Sequence, residues 1–205
     1  MTPITHHTSA DIPKARQKAD PQTLAPTRTL TGFRVLSTGS YVPDTVVTNA
    51  DLKDRLGFDD TWIVQRTGIR ERRQVSPEMA TSDLCYEAAR RCIDSSGIDK
   101  DEIDLVIVAT FSPDMAFPAT ACLLQDRLEL RCGAFDLQAA CAGFVYALAV
   151  GANFVKAGSC QRCLIVGGDA NSRITNPKDM KSYPLFGDGA GAVLIGPASD
   201  SHGFL

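Results

Sequence analysis

Two short apolar runs constrain this chain more than anything else in it: D104-L-V-I-V-A-T110 and R162-C-L-I-V-G-G168. Each has the length of a strand and carries almost no polar residue between its ends. A strand that faced water on one side would alternate polar and apolar residues. A near-continuous Val/Ile run belongs to a strand buried on both faces of a mainly parallel sheet. F33-R-V-L-S-T-G39, A134-F-D-L137 and G189-A-G-A-V-L-I-G196 read as further strands. Helical segments with start and stop signals lie between them. T48-N-A-D-L-K-D-R-L-G57 has Thr48 or Asn49 to cap it and Gly57 to close it, and D59-D-T-W-I-V-Q-R-T-G68 follows as a second short helix. T81-S-D-L-C-Y-E-A-A-R-R-C-I-D-S-S-G97 is a longer one, with Thr81 or Ser82 as cap, Gly97 as stop, and Leu84, Ala88 and Cys92 on one face. Helices are also predicted from Pro118 to Leu128 and from Gly143 to Gly158. Strands alternating with helices imply right-handed crossovers and a layered α/β fold, a mixed sheet with helices on both faces.

The 205 residues are enough for one sizeable domain. A net charge of −3 supplies no basic field, so nucleic acid and anionic membrane are excluded as partners on this ground. No apolar run reaches the roughly 18–20 residues of a membrane span, and the N-terminus lacks the apolar core of a signal peptide. Seven cysteines, scattered through strands and helices, indicate reduced thiols in a cytoplasmic compartment rather than a disulfide framework. Residues 1–30 are rich in Pro, Thr, Lys and Asp and poor in large apolar residues, so they are predicted to form a disordered tail ahead of a domain over residues 31–205. His6 and His7 in that tail have no nearby Cys or carboxylate to complete a metal site, and no metal is expected.

Chemistry enters at D136-L-Q-A-A-C-A-G-F-V-Y-A-L-A-V-G151. Cys141 sits at the front of a helix that is apolar nearly all round, the pattern of a helix buried on every side. Its start follows the C-terminal end of the strand at 134–137, and open α/β sheets bind ligands outside strand C-ends. A cysteine there feels the positive end of the helix dipole, which favours thiolate, and backbone N–H groups at the same end suit a thioester oxyanion. Ala139, Ala140, Ala142 and Gly143 leave a substrate room to reach the sulfur. A buried structural cysteine is the competing reading, and the residues alone leave both open. Cys160-x-x-Cys163 leads into a strand, whereas a redox motif opens a helix and zinc needs a second pair. G187-D-G-A-G191 also feeds a strand, so it reads as a tight structural turn rather than a phosphate loop.

Taken together, GSYVP (39–43), T48-N-A-D-L52, W62-I-V-Q-R-T-G-I-R-E-R-R73, Ala116-Phe117-Pro118, A139-A-C-A-G-F144 and F186-G-D-G-A-G191 closely resemble the N-terminal half of a β-ketoacyl-acyl carrier protein synthase III. These are condensing enzymes of the thiolase fold. The matching stretches run in family order, and the resemblance covers about 170 residues of the chain. It implies that Cys141 is the nucleophile that accepts an acyl group, commonly acetyl, from a coenzyme A thioester. Condensation with malonyl-acyl carrier protein follows, releasing carbon dioxide and a 3-oxoacyl product, the step that initiates fatty acid synthesis. No resident cofactor is implied, since coenzyme A arrives as part of the substrate. Trp62 matches the aromatic that stacks on adenine, Arg66 the basic residue at the mouth of the pantetheine tunnel, and Thr67 its neighbour in coenzyme A binding. Phe117 matches the residue that reaches across a homodimer into the partner's acyl pocket.

The pattern departs from the family in three places. F58-D-D-T61 stands where the family has Thr-Ser-Asp-Glu, and Met180 stands where an arginine covers the other face of the adenine. Lys181, beside it, brings charge but does not stack as a guanidinium does. The chain stops at H202-G-F-L205, about where the family's first half ends, so the His and Asn of the second half are not expected in it. Two other functions compete with the synthase: a non-catalytic half-enzyme that pairs with a second copy or with a missing C-terminal half, and a starter-unit condensing enzyme with another acyl donor.

Overall fold

The computed structural model describes residues 29–57 and 60–204. The predicted tail up to residue 28, the His6–His7 pair and Phe58-Asp59 lie outside the described residues. In chain order the strands are β1 (Leu30–Thr31), β2 (Phe33–Tyr41), β3 (Val46–Thr48), β4 (Glu71–Arg73), β5 (Leu105–Ala109), β6 (Gly133–Leu137), β7 (Cys163–Ala170), β8 (Asp188–Pro197) and β9 (Gly203–Phe204). The helices are α1 (Asn49–Leu56), α2 (Asp60–Thr67), α3 (Thr81–Ser96), α4 (Thr120–Arg127), α5 (Gly143–Lys156) and the single turn α6 (Asn171–Ile174).

β5 and β7 are the two Val/Ile runs, and they lie side by side in a five-stranded sheet of order β2-β8-β7-β5-β6. β5 pairs in parallel with both β6 and β7, while β8 runs antiparallel to β7 and β2 antiparallel to β8. Residues of β5 alternate between two cores, as the pleat dictates. Val106 and Val108 pack with Leu164 and Val166 of β7 against α3 and α4. Leu105, Ile107 and Ala109 pack with Cys163 and Ile165 against α5. The layered reading therefore holds, and so does the mixed sheet. Each fully buried Val, Ile or Leu here contributes about 1.5–3 kcal/mol of hydrophobic stabilisation.

Several boundaries differ from the sequence reading for local reasons. Order begins before Phe33, because Leu30 and Thr31 pair antiparallel with Phe204 and Gly203, and the Phe33 and Phe204 rings meet edge-on at 5.1 Å. Thr48 caps α1, with a capping box to Asp51, and Gly57 closes it in the left-handed region at φ 74°. Neither Thr81 nor Ser82 caps α3. The cap position is Ala80, whose N–H donates to Asp83, while Thr81 Oγ1 is turned inward to donate to the Ser112 carbonyl at 2.6 Å. α4 starts two residues after Pro118, where Asp136 on β6 accepts from the Thr120 and Ala121 amides with its two oxygens (2.8 and 2.7 Å). The predicted turn at 187–191 is largely the start of β8.

The largest correction concerns α5. Its inner positions Ala147, Gly151, Ala152 and Val155 are buried on the sheet, but Val145, Tyr146 and Phe154 are 60, 56 and 40% exposed. The helix is apolar nearly all round, yet among the described residues only one side of it is covered. No helix among the described residues is long and apolar enough to cross a membrane.

α3 lies so close to β2 that Gly39 has no room for a side chain. A Cβ there would sit 2.2 Å from the Ala88 carbonyl oxygen and 2.5 Å from the Cys92 nitrogen. Both are backbone atoms, so relief requires the helix to move. Gly39→Ala is expected to destabilise the chain by about 3 kcal/mol, read as a lower urea midpoint.

Candidate active site

β5, β6 and β7 end on the same side of the sheet, and their C-terminal ends meet the start of α5 there. After β6 the chain turns through Gln138 and Ala139 into a 3₁₀ turn, Ala140–Ala142, that carries Cys141 directly into α5. Ala140 holds a φ of +46°, a conformation that residues with a Cβ avoid. Such strain persists only where the surroundings hold it in place, and here it lifts Cys141 off the strand axis into a 360 Å³ cavity. Cys141 is exposed, whereas Cys85, Cys92, Cys160 and Cys163 are buried. The filler reading therefore fails for Cys141 on placement alone.

The cavity is walled by Ala109 at the end of β5, by Gly167, Gly168 and Asp169 of β7, by Gly187, Gly189 and Gly191 at the start of β8, and by Phe144 and Asn171. Gly167 is small because the Phe144 ring lies against it: a Cβ would come within 3.0 Å of Phe144 Cδ2. Asp169 faces the cavity but is committed elsewhere. Its Oδ1 accepts from Thr110 Oγ1 (2.8 Å), the Phe111 amide (3.0 Å) and Ser112 Oγ (2.8 Å), which fixes the segment leaving β5. Asp188 does the same at the start of β8, accepting from the Val75 and Ser172 amides at 2.8 Å each. Of the amides expected to meet an oxyanion, those of Ala142 and Gly143 already donate to Ala139 and Ala140 carbonyls within the 3₁₀ turn. Sequence reading missed this wall, although G167-G-D169 after a buried strand sits where strand C-ends gather ligands.

Trp62, Arg66, Thr67, Phe117, Met180 and Lys181 do not line this cavity. Trp62 is on α2, 37% exposed, and the Arg66 guanidinium lies over its ring at 4.2 Å, one helical turn on. The two form a single platform rather than separate contacts. Thr67 uses its hydroxyl to end α2, donating to the Ile63 carbonyl (2.8 Å) and accepting from the Ile69 amide (3.0 Å). Phe117 projects from the loop before α4 and is 88% exposed. Met180 is also exposed, and Lys181 donates its amide to Asp179.

Cys160 and Cys163 are both buried free thiols, and no cluster of three or more metal-ligating side chains exists among the described residues. A larger groove of 680 Å³ lies at the opposite ends of β5 and β6, lined by Lys100, Asp101, Gln125, Asp126 and Glu129. It contains no nucleophile, and its lysine is paired with Glu129 at 2.9 Å, so the smaller Cys141 cavity is the candidate chemical site.

Residues 135–205 match the sequence model of the 3-oxoacyl-[acyl-carrier-protein] synthase III family. The β-ketoacyl-[acyl-carrier-protein] synthase III of Rhodopirellula baltica is 54% identical over 170 residues, which cover 83% of this chain and 49% of that protein. The chain belongs to the synthase III family. Two solved synthase III structures agree with it in fold. That from Thermus thermophilus is 43% identical with a TM-score of 0.80, over 82% of this chain and 53% of its own. That from Aquifex aeolicus is 39% identical with a TM-score of 0.80, over 82% and 55%. The chain spans about half the length of the curated synthase III relatives it matches.

Exposure singles out one thiol. Burial pushes the Cys85 thiol up, helped by the Asp114, Asp169 and Asp136 charges, and burial pushes the half-buried Cys132 up to about 11. Since the thiolate is the nucleophile, Cys132 stays unreactive until the pH approaches that value. Iodoacetamide at a pH of about 8 is expected to add one group rapidly, on Cys141, and intact mass should show that fast adduct vanish in Cys141→Ala.

Proposed function

We propose that Cys141 is an acyl acceptor and that this chain carries the acyl-transfer half of a synthase III reaction. The observation that carries the reading is the placement of Cys141: exposed, at the head of α5, in a cavity at the strand C-ends, behind a strained Ala140. The Cys141 thiol gives up its proton to solvent as its sulfur attacks the thioester carbonyl of an acyl-coenzyme A, acetyl in the commonest case. The carbonyl oxygen takes the negative charge, the thioester bond breaks, and coenzyme A leaves as thiolate to pick up a proton. Coenzyme A is thus part of the substrate rather than a resident cofactor. Trp62, with the Arg66 guanidinium against its ring, supports recognition of the adenine, and Thr67 keeps the end of that helix in place.

Condensation of the acyl-cysteine with malonyl-acyl carrier protein completes the proposed reaction and starts a fatty acid. That step calls for a base and for donors to the malonyl thioester. Among the described residues the histidine is His202, which bonds Ser199 and Ser201 hydroxyls and lies outside the cavity. Condensation therefore draws on groups beyond those described here. Exposed Phe117 and the outer face of α5 support a homodimer or a C-terminal half as the covering partner. The seven free thiols support a reducing, cytoplasmic setting. Met180 in place of a second stacking arginine leaves room for a different acyl donor, and acylation by donors of several chain lengths separates that case.

Incubation with acetyl-coenzyme A is expected to give one acetyl adduct, absent in Cys141→Ala, by intact mass. Trp62→Ala should raise the donor concentration for half-maximal acylation about tenfold, the scale of one lost base–aromatic stack. No adduct on the parent chain overturns the reading.

A non-catalytic interaction module is the second reading, and it rests on Val145, Tyr146 and Phe154 standing in solvent together on α5. It predicts self-association by light scattering that Val145→Lys with Phe154→Lys abolishes. A monomeric parent chain at high concentration would sink it.

A further inference from the structure

Arg72 is a charged side chain with almost no water around it: 6% of it is exposed. Among the described residues it forms no ion pair with a carboxylate. Its guanidinium donates instead to three neutral acceptors, two from the junction of β3 and α1 and one from a distant part of the chain. Nη1 reaches the Val47 carbonyl of β3 at 3.1 Å, and Nη2 reaches Asn49 Oδ1 at 2.7 Å and the Pro184 carbonyl at 3.1 Å. Its Nε–H has no hydrogen-bond partner. A buried cation held in this way is expensive in desolvation, and replacing it with a well-packed apolar side chain would often stabilise the fold. Stability alone therefore gives no account of a cation in this place.

The acceptors supply one. Asn49 is itself buried, and its Nδ2 donates to Asp60 Oδ1 at 2.7 Å and to the Ile69 carbonyl at 2.7 Å. Asp60 begins α2 and Ile69 follows its end, so Asn49 grips both ends of the helix that carries Trp62 and Arg66. On its other side, Arg72 holds Pro184, three residues before Gly187 in the wall of the Cys141 cavity. Gly187 also packs on Arg72 directly, since a Cβ there would meet Arg72 Cβ at 3.1 Å. One side chain thus touches the holder of the Trp62 platform through its guanidinium and the back of the cavity wall through its Cβ.

We infer that Arg72 is a positioning residue that sets the spacing between the α2 platform and the Cys141 cavity, so that a donor gripped by its nucleotide presents its thioester to the sulfur. This rests on the acyl-acceptor reading above and adds a residue that no substrate atom touches. A donor without a nucleotide does not use the platform and should not sense Arg72. That difference separates positioning from a general role in folding.

The test uses the full chain with Arg72→Met, Arg72→Lys and Asp60→Ala, and follows Cys141 acetylation by intact mass. Each protein is given acetyl-coenzyme A and, separately, acetyl-N-acetylcysteamine, which has the thioester but no nucleotide. In Arg72→Met the acetyl-coenzyme A concentration for half-maximal rate should rise about tenfold, while the maximal rate and the reaction with the short donor stay within about twofold. Arg72→Lys should recover part of the loss, because an ammonium keeps the charge but lacks the planar fork that spans three acceptors. Asp60→Ala alters an exposed residue and should give a smaller shift of the same kind, which keeps the comparison available if Arg72→Met does not fold. Equal slowing with both donors, or no change with either, in variants that melt with the parent, overturns the inference. Absence of acetylation of the parent chain by either donor overturns the acyl-acceptor reading, and this inference falls with it.

Discussion

Everything in this chain is referred to one strand, β5, with apolar layers on both its faces. Because Val106 and Val108 belong to one core and Leu105, Ile107 and Ala109 to the other, the strand fixes the positions of α3 and α4 on one side and α5 on the other. Its parallel pairing with β6 and β7 then brings three strand ends to one place. A parallel arrangement cannot satisfy the polar groups at those ends by hairpin turns, so the chain must use side chains for it. Asp136, Asp169 and Asp188 do so, each accepting from amides or hydroxyls of a neighbouring segment. The site is built on the same arrangement, with these carboxylates spent on holding loops and Cys141 left exposed to react.

How much of this could be read from the residues depended on how local each cause was. The buried strands were legible because pleat parity and β-branching act within a single strand. Cys141 was legible as a candidate because the strand end, the small neighbours and the helix start are all close to it in sequence, although those residues alone left filler and nucleophile both open; its exposure became visible only in the fold. The start of α3 was misread because Thr81 has a better acceptor in Ser112, 31 residues away. α5 was legible as apolar all round, but which side is left uncovered was not, because periodicity reports that a face is apolar, not which body covers it. Arg72 sits in R70-E-R-R73, which looks like a solvated charge run. Only the convergence of Val47, Asn49 and Pro184 turns it inward.

The division between the α2 platform and the Cys141 cavity has a bearing on chemistry. A thiol on an open surface acylates and deacylates with any passing thioester. Here the platform is a helix pair with its own small core of Leu52, Leu56 and Tyr183, joined through Asn49 and Arg72 to the Pro184 segment that leads into β8. Under the proposed function, recognition of the donor and reaction with it fall to separate pieces, and selectivity then depends on the distance between them as well as on either piece alone.

The glycine wall limits how this cavity can change. Side chains added at Gly168, Gly187 or Gly189 would not point into the open space but into the protein behind it, against Cys85 Sγ at 2.7 Å, Arg72 Cβ at 3.1 Å and Val42 Cγ1 at 3.2 Å. The wall is main chain with its back closed. A lineage seeking a wider or narrower acyl slot has little to vary there, since each substitution would first have to displace the packing of the sheet. Phe144 is the large apolar side chain in the lining, and its ring is the part of the cavity that single mutations can reshape without rebuilding the fold.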